Sequence, residues 1–396
     1  MAGIYERLGV RTIVNAKGSA TRLSGAILPE EVAQAMAEAS QSCVDIAELQ
    51  AAAGAIIAEA TGAEAGYVTS GAAAGLLLGT AACVTGLDPG RMNRLPDTAG
   101  MKNEVVMPRS QRNFYDHAVR AAGVRIVEVG LPDRFSGAGV RDAEPWEIAD
   151  AITERTAAVH FVAQPWSRPP LADIVRIAHA AGVPVLVDAA AQLPPATNLR
   201  RFIAEGADLV VFSGGKALRG PQASGILCGR RDLVMAAALQ HLDLDIDWPL
   251  WSPPPGLIDK RLLAGAPHHG IGRPCKVGRE EIVGLITALR LFLAADPEAR
   301  RAAWHVQLAT IADGLGGLPG LTARLDGSGE VPLLHLVLDH DAKLGAAELA
   351  ERLQRGDPPI HVDHARLSEN ILRCNPTCLK PDQPAIVARR VRELLT

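Results

Sequence analysis

Two short apolar runs, each ended by a chemically distinctive side chain, constrain what this chain can fold into. The run Pro184-Val185-Leu186-Val187 leads into Asp188, and the run Val210-Val211-Phe212-Ser213-Gly214-Gly215 leads into Lys216. The two side chains are 216 − 188 = 28 positions apart, which leaves room for one helix between two neighbouring parallel strands. The pattern therefore predicts a carboxylate and a lysine at the ends of adjacent strands.

The chemistry of this pair indicates one cofactor. A lysine flanked by glycines at a strand end can form a Schiff base, and a carboxylate on the next strand can keep a pyridinium nitrogen protonated. The run Thr69-Ser70-Gly71-Ala72-Ala73-Ala74-Gly75 follows a strand and opens a helix, where small residues and free N–H groups favour a phosphate. Ser213 can add a hydroxyl to the same phosphate. Because loop, acid and lysine occur in the required order, we predict a pyridoxal 5'-phosphate site.

Nucleotide-binding motifs fit this chain less well. Gly215-Lys216 is followed by Ala217 rather than Ser or Thr, and no glycine precedes it at the spacing of a nucleotide phosphate loop. The run from Gly71 to Gly75 also lacks the G-x-G-x-x-G order of a dinucleotide site. The simpler explanations are a solvated loop lysine at 216 and a helix-capping acid at 188. The apolar strand before Lys216 and the prolines at 194 and 195 argue against them.

The overall composition is that of a large globular protein. At 396 residues the chain exceeds what one core usually covers, so we expect an N-terminal segment over 1–45, a large domain over 46–258 and a small domain over 259–396. A net charge of −4 argues against nucleic-acid or membrane-surface partners. We see no signal peptide and no apolar run long enough to span a membrane. Six scattered cysteines suggest reduced thiols and a cytoplasmic location.

Short apolar strands alternate with Ala-rich helical segments from about residue 29 to residue 228. Such alternation predicts an α/β fold with a mainly parallel sheet that helices cover on both faces. Pro249 and the run Pro253-Pro254-Pro255 interrupt the alternation. The helices and strand expected beyond them predict a smaller α+β C-terminal domain.

Two histidine and cysteine clusters raise the alternative of a metal site. His361 and His364, followed by Cys374 and Cys378, could be read as zinc ligands, but their spacing is not that of a standard finger. The residues between the two cysteines, Asn375-Pro376-Thr377, indicate a turn. The adjacent His268 and His269 point in different directions, so a flexible loop at the mouth of a site is the better interpretation. We therefore predict no metal.

Five stretches together carry a resemblance to a known group of enzymes. The chain resembles fold-type I pyridoxal phosphate enzymes, which are aspartate aminotransferase-like. Within them it resembles the group similar to bacterial selenocysteine synthase and D-glucosaminate-6-phosphate ammonia lyase. The most specific stretch is Ser213-Gly214-Gly215-Lys216-Ala217-Leu218-Arg219-Gly220-Pro221-Gln222. The resemblance extends nearly from end to end and is carried by residues 13–18, 69–75, 185–188, 213–222 and 272–282.

The resemblance implies a role for each matched position. Lys216 is expected to be the Schiff-base lysine and the proton shuttle at the substrate Cα, and Asp188 is expected to pair with the pyridine nitrogen. The phosphate is expected to be held by Ser70, Gly71, Ala72, Ala73 and Ser213. The group also implies a homodimer or larger assembly with sites at subunit interfaces, where Gly220 and Gln222 are expected to reach the neighbour's phosphate.

Other site positions leave alternatives open. The segment 111–117, which includes His117, offers several candidates for a ring stacked on the cofactor. Many relatives place a hydrogen-bonding side chain three residues after the aspartate; here Ala191 stands there and Gln192 follows, so Gln192 is the candidate. The substrate carboxylate is assigned to Arg273, with Arg373 as the alternative. His117 or His268 could protonate a leaving hydroxyl.

These features predict a lyase that acts on a small polar amino acid or amino sugar acid. Lys216 removes the Cα proton, and β-elimination then releases ammonia and a 2-keto acid. Racemisation or epimerisation, transamination and aldol cleavage are the alternatives, because each begins at the same Cα. A selenocysteine synthase activity fits poorly, since the chain has no basic excess and no evident tRNA-binding arm. A non-catalytic scaffold is disfavoured by the presence of both Lys216 and Asp188.

Overall fold

A computed structural model describes residues 3–131 and 143–396. The chain divides into two compact units, Leu28–Leu293 and a smaller one that combines Met1–Ile27 with Ala294–Thr396. Residues 28–45 and 259–293 thus cluster with the larger unit, whereas the sequence prediction placed them in the N-terminal segment and the small domain. That the chain folds as separate domains with the predicted boundaries remains a prediction.

The strands and helices are numbered in chain order. The strands are β1 (Val14–Ala16), β2 (Ala65–Thr69), β3 (Glu104–Pro108), β4 (Arg125–Val129), β5 (Thr156–Val162), β6 (Val185–Asp188), β7 (Leu209–Ser213), β8 (Gly225–Gly229), β9 (Leu321–Asp326), β10 (Leu333–Leu338), β11 (Ile360–Val362) and β12 (Ile371–Cys374). The helices are α1 (Ile4–Arg7), α2 (Glu30–Ala39), α3 (Ile46–Thr61), α4 (Ala72–Thr85), α5 (Pro89–Arg94), α6 (Asp116–Ala121), α7 (Pro145–Ala151), α8 (Leu171–Ala180), α9 (Asn198–Ala204), α10 (Arg231–His241), α11 (Arg279–Ala294), α12 (Pro297–Leu315), α13 (Ala346–Arg355) and α14 (Gln383–Leu395).

The larger unit is built on a seven-stranded sheet with the order β2-β8-β7-β6-β5-β3-β4. Strand β8 runs antiparallel to both of its neighbours, and the pairs from β7 to β4 are parallel. The predicted mainly parallel sheet is therefore confirmed. Strands β6 and β7 are neighbours, so Asp188 and the turn that carries Lys216 leave the sheet at the same edge.

The two faces of this sheet are both covered, which explains why its strands are nearly continuous apolar runs. One face, named here the apolar face, packs residues such as Val187, Val210 and Phe212 against helices α3, α8, α9 and α11. The other, named the site face, packs Leu186, Val211 and their neighbours against α4 and α10. Alternate residues of one strand point to opposite faces, so each strand contributes to both cores.

Helix α4 lies close against the site face because two of its residues lack a side chain. A Cβ at Gly75 would lie 2.9 Å from Val211 Cγ1, and a Cβ at Gly79 would lie 3.1 Å from Leu186 Cδ1. Larger residues at either position would push the helix away from the sheet. The close packing fixes the start of α4 beside the carboxyl ends of the parallel strands.

The edge strand β2 is tied to the helix that packs on it. The Gln50 side chain on α3 donates from Nε2 to the Val68 carbonyl at 2.9 Å and accepts the Val68 N–H at 3.0 Å. Gln50 is fully buried, so both polar atoms of its amide need partners, and the backbone of Val68 supplies them. The amide therefore supplies hydrogen bonds to Val68 on the side of β2 where, within the described residues, no other strand pairs.

The smaller unit is an α+β structure, as predicted. It contains a three-stranded antiparallel sheet of order β12-β10-β9 and a separate parallel pair of β1 with β11. Helices α12, α13 and α14 supply residues such as Leu308, Leu349 and Val387 to a core shared with Leu334 and Leu336 of β10. In residues 3–131 and 143–396, we find no helix with the length and apolarity that a bilayer crossing requires.

Candidate active site

The turn that carries Lys216 is closed by backbone hydrogen bonds and by glycines. The Gly214 N–H donates to the Ser224 carbonyl, and the Gly220 N–H donates to the Gly214 carbonyl, both at 2.9 Å. A Cβ at Gly215 would lie 2.7 Å from Gln222 Cα, so only glycine fits there. The glycines that flank Lys216 in the sequence thus serve to fold a compact turn, which holds the lysine in one place at the end of β7.

Lys216 and Asp188 interact electrostatically. Partial burial lowers the pKa of the Lys216 amine, and the nearby Asp188 carboxylate acts in the opposite direction. Asp188 is 7% exposed, and its Oδ1 accepts the Ala190 N–H at 3.0 Å. Within the described parts of the chain its Oδ2 has no hydrogen-bond partner, so one carboxylate oxygen is available to a ligand. Asp188 at the end of β6 is therefore close enough to influence the charge of Lys216, which follows the neighbouring strand β7.

His160 joins this pair, and the sequence interpretation missed it. It lies on β5, on the same face as Asp188, and is 1% exposed. Its Nδ1 lies 3.1 Å from the Leu186 carbonyl oxygen. Because a carbonyl only accepts, Nδ1 carries the proton. Burial lowers the pKa of His160, while the charges of Asp188 and Asp116 act to raise it. A ring-bearing polar residue within an otherwise apolar strand was the signal that could have identified it.

The start of α4 has the properties of a phosphate site. Gly71 precedes the helix with φ of 125°, a conformation that favours glycine, and no side chain of the described residues caps the helix there. The first N–H groups of the helix are therefore available to an anion. A Cβ at Gly225 would lie 2.6 Å from the Gly71 carbonyl carbon, and Gly225 pairs with Ser213 across β7 and β8. Gly225, the cross-strand partner of Ser213, thus lies against Gly71 and Ala72 at the start of α4.

Four further cofactor candidates are placed less directly. The Ser70 hydroxyl donates to the Cys275 carbonyl at 2.6 Å rather than to the helix start. The described contacts of Gln192 are made by its backbone, with Ala189 and Asn198. Gly220 lies buried in the lysine turn and Gln222 lies exposed in it. The roles predicted for these residues stay predictions.

The contacts described for His117, in the segment that follows β3, do not include Lys216. His117 lies on α6, exposed, with its Nδ1 3.1 Å from Arg120 Nη2. The buried residue of this turn is its neighbour Asp116, which pairs with Arg112. Phe114, another candidate for a stacked ring, is 95% exposed. The described contacts therefore leave the stacking residue unassigned.

The two arginines predicted to bind a carboxylate already have acidic partners. Arg273 donates from Nη2 to Asp243 at 2.9 Å and from Nη1 to the His241 carbonyl at 3.1 Å. Arg373 belongs to the smaller unit, where it pairs with Asp363, which also lies 3.6 Å from Lys17. A substrate carboxylate would have to compete with Asp243 or Asp363 for these guanidinium groups.

His268, the remaining candidate, is exposed at the rim of a cavity in the larger unit. The cavity has a volume of about 460 Å³, and Asp245 and Trp248 are among the residues that line it. The His268 N–H donates to Asn93 Oδ1 at 2.7 Å, which holds the backbone of this loop. The contacts described for His268 do not include Lys216 or Asp188.

The residues at the carboxyl edge of the sheet fit pyridoxal 5'-phosphate. An amine with a lowered pKa suits imine formation, a carboxylate with a free oxygen suits a pyridinium nitrogen, and an uncapped helix start suits a phosphate. These three features lie at the same edge of one sheet, after strands that are neighbours or are linked through β8.

Comparison with known proteins agrees with this assignment. The family model described as L-seryl-tRNA selenium transferase (SelA) matches residues 115–245. The chain is 36% identical over 405 residues to a 5'-C-glycyluridine monooxygenase-decarboxylase of a Streptomyces species, with coverage of 99% of this chain and 92% of that protein. It is 31% identical over 403 residues to the D-glucosaminate-6-phosphate ammonia lyase of Salmonella typhimurium, with coverage of 99% and 97%.

A solved structure is also similar over the full length. The structure of a D-glucosaminate-6-phosphate ammonia-lyase matches with a TM-score of 0.82 at 30% identity, and the match covers 100% of this chain and 98% of that one. The segment matched by the family model contains both Asp188 and Lys216. The protein is thus an enzyme, and its cofactor is pyridoxal 5'-phosphate. The chain belongs to the selenocysteine synthase-like family of fold-type I pyridoxal phosphate enzymes.

Proposed function

We propose that this enzyme is a lyase that acts on a small polar amino acid or an amino sugar acid. It removes the Cα proton, eliminates the β-substituent and releases ammonia and a 2-keto acid. The observation that carries the proposal is the partly buried Lys216 beside Asp188, in a chain that is 31% identical to an ammonia lyase along nearly its whole length. The name of that relative supports an amino sugar acid as the substrate class.

Different residues of the site bind different parts of the cofactor. When bound, pyridoxal 5'-phosphate supplies an electron sink for the pair of electrons left at the substrate Cα. The Asp188 carboxylate favours the protonated ring nitrogen through an opposite-charge interaction. The N–H groups at the start of α4 and the Ser213 hydroxyl hold the phosphate. His160 lies on the same face of the neighbouring strand as Asp188, and the two groups interact electrostatically.

Lys216 moves the proton. Burial lowers the pKa of its amine, so a larger fraction is neutral, and therefore basic, near neutral pH than for an exposed lysine. The neutral amine accepts the proton of the Cα–H bond and then donates it to the oxygen of the breaking Cβ–O bond, so that water leaves. Hydrolysis of the released product returns one water molecule and frees ammonia, which gives a 2-keto acid with one hydroxyl fewer than the substrate.

A second candidate is an oxidative decarboxylation, favoured by one observation. The identity to the monooxygenase-decarboxylase, 36%, is higher than the identity to the ammonia lyase, 31%, at similar coverage. Such a reaction would start at the same Cα but would consume dioxygen and release carbon dioxide. Elimination consumes no dioxygen and keeps the carboxylate, so the two candidates differ in products that can be measured independently.

One experiment separates the candidates. The holoenzyme is incubated in deuterated water with D- and L-amino acids and with amino sugar acids, including D-glucosaminate 6-phosphate, while ammonia, keto acid, carbon dioxide and dissolved oxygen are followed. We expect ammonia and keto acid in equal amounts, without oxygen uptake and without an added amino acceptor. Lys216→Ala is the control that should remove all products.

Each of the other product patterns would contradict the proposal and establish a different reaction. Oxygen uptake with carbon dioxide release would establish the oxidative reaction. Deuterated amino acid of inverted configuration without ammonia would establish racemisation. Keto acid that forms only after another keto acid is added would establish transamination, and an aldehyde with a smaller amino acid would establish aldol cleavage.

A further inference from the structure

A chain of hydrogen bonds reaches the phosphate loop from the end of helix α10. The Tyr67 hydroxyl, at the middle of β2, lies 2.8 Å from His241 Nδ1. His241 Nε2 lies 2.9 Å from the Cys275 carbonyl oxygen, and Ser70 Oγ lies 2.6 Å from that same oxygen. Tyr67 is fully buried and His241 is 3% exposed, so water does not substitute for the contact between them, and the two contacts at the Cys275 carbonyl are part-buried. The order of the chain is Tyr67, His241, Cys275, Ser70.

The direction of each hydrogen bond follows from chemistry. The Cys275 carbonyl oxygen can only accept, so His241 Nε2 carries a proton and the Ser70 hydroxyl points its proton at the same oxygen. Burial lowers the pKa of His241, which favours the neutral ring. In the neutral ring the other nitrogen, Nδ1, has a lone pair and accepts from the Tyr67 hydroxyl, whose pKa burial raises. The tautomer of His241 is thus fixed from both sides.

This arrangement occupies the one proton that Ser70 has to offer. A phosphate dianion presents only acceptors, so Ser70 can bind it only after its hydroxyl turns away from the Cys275 carbonyl. That turn would leave the part-buried carbonyl without a partner if Ser70 were its only donor. An unsatisfied buried acceptor is costly, and the Nε2–H of His241 avoids that cost because it donates to the same oxygen.

We propose that His241 is a positioning residue for the cofactor phosphate. It keeps the Cys275 carbonyl satisfied, so that the Ser70 hydroxyl is free to turn to a phosphate at the start of α4. The inference rests on the placement of the phosphate given under the proposed function, but not on the reaction. The proposed effect of His241 on cofactor binding acts through Ser70. It requires no contact between His241 and the cofactor.

The loop around Cys275 has other contacts that hold its backbone. The Gly272 N–H donates to the Gln240 carbonyl at 2.9 Å, and Arg273 donates to the His241 carbonyl. A Cβ at Gly270 would lie 2.4 Å from Gln240 Cα, so the loop lies directly against α10. These contacts involve the backbone of residues 240 and 241, and they persist when only the imidazole is replaced. Side-chain variants at 241 therefore test the hydrogen bond rather than the path of the loop.

Two amides at position 241 form a matched pair. In His241→Gln the amide nitrogen can reach the place of Nε2 and donate to the Cys275 carbonyl, whereas in His241→Asn the shorter side chain reaches only the place of Nδ1. The measured quantity is the dissociation constant of the apoprotein for pyridoxal 5'-phosphate, with pyridoxal, which has no phosphate, as the comparison ligand. We expect His241→Asn to weaken binding of the phosphorylated form by roughly five- to tenfold, the size of one hydrogen bond, and His241→Gln to retain most of it.

Two controls test the inference: the affinity of each variant for pyridoxal, and the effect of His241→Asn in a protein that already carries Ser70→Ala. The inference requires that pyridoxal binding be the same in both variants and that His241→Asn have little further effect when Ser70 is already alanine. Equal losses for both ligands, equal affinities of the Asn and Gln variants, or an undiminished effect in the Ser70→Ala background would each overturn it. Tyr67→Phe, which leaves the Nε2 donor in place, supplies a second test if an amide variant does not fold, and it is expected to bind both ligands like the parent. A phosphate-specific loss in Tyr67→Phe would also overturn the inference.

Discussion

The two faces of the central sheet use the same three strands for different purposes. On the apolar face, β5, β6 and β7 contribute Phe161, Val187 and Phe212, all of them hydrocarbon and buried. On the site face, the neighbouring positions of the same strands contribute His160, Asp188 and Ser213. A shift of one residue along a strand therefore moves a side chain from the apolar face to the site face.

The difference between the two faces explains how the sheet accommodates buried polar side chains. Asp188 and Ser213 lie at the carboxyl ends of β6 and β7, at the edge where the start of α4 and the lysine turn are found. The apolar face holds the strands together at the same positions along the sheet. We therefore expect substitutions on the site face to reduce function at little cost in stability, and substitutions on the apolar face to do the reverse.

The largest expected effect is on the site face, at Lys216. Lys216→Ala removes both the point of attachment and the base, so kcat/KM for ammonia release should fall by about a thousandfold or more, while the melting temperature stays close to that of the parent. Borohydride reduction of the parent followed by peptide mass mapping should find the cofactor on Lys216. Lys102→Ala, at an exposed lysine of the same unit, is the matched control. Cofactor on another lysine would contradict the assignment.

The corresponding change on the apolar face is Phe212→Ala. Removal of a fully buried aromatic side chain should lower the free energy of unfolding by about 3–5 kcal/mol, measured by urea denaturation. Affinity for pyridoxal 5'-phosphate should change little under conditions where the variant remains folded. Phe114→Ala, at a ring that is 95% exposed, should leave stability unchanged. If Phe212→Ala lost cofactor affinity while folded, the separation of the two faces would not hold.

A smaller loss of function is expected at Asp188. Asp188→Asn keeps the shape of the side chain but removes the charge beside the ring nitrogen, so kcat/KM should fall by about a hundredfold. The variant should still bind the cofactor, with a changed absorption spectrum. Asp150→Asn, at an exposed position on α7, is the control and should behave like the parent. Parent-like activity and spectrum in Asp188→Asn would show that this carboxylate is only structural.

The smallest expected effect concerns the pH at which Lys216 becomes reactive. Burial lowers the pKa of Lys216 and Asp188 raises it, so loss of the carboxylate should lower the pKa further. In the apoprotein, the pH midpoint for reductive methylation of Lys216, followed by mass spectrometry, should therefore lie below that of exposed lysines and move further down in Asp188→Asn. A midpoint that rises or does not move in this variant would rule out the proposed coupling.

Much of the larger unit could be predicted because its signals are local. The adjacency of β6 and β7 followed from the 28-residue spacing of Asp188 and Lys216. Glycine-rich turns, short apolar runs and a helix start with small residues carry this information within a few positions. The positions of Lys216, Asp188 and the phosphate loop are of this kind.

The parts of the site that could not be predicted depend on contacts between distant segments. Helix α10 was not predicted, although the run Arg231–His241 is rich in alanine and leucine, and with it His241 was missed. His241 matters only because Tyr67 and Cys275, 174 and 34 positions away, converge on its ring. Arg273 was given to the substrate because nothing near it in the sequence identifies Asp243 as its partner. The homodimer and the cytoplasmic location remain predictions.

The Gln50 side chain affects whether the edge strand β2 can pair with a strand of another molecule. At the opposite margin, β4 displays Arg125 and Glu128, and such charges discourage a foreign strand from joining. The β2 margin has no charged residue, and there the Gln50 amide occupies the N–H and C=O of Val68. The amide thus leaves the N–H and C=O groups of Val68 unavailable for pairing with a strand of another molecule.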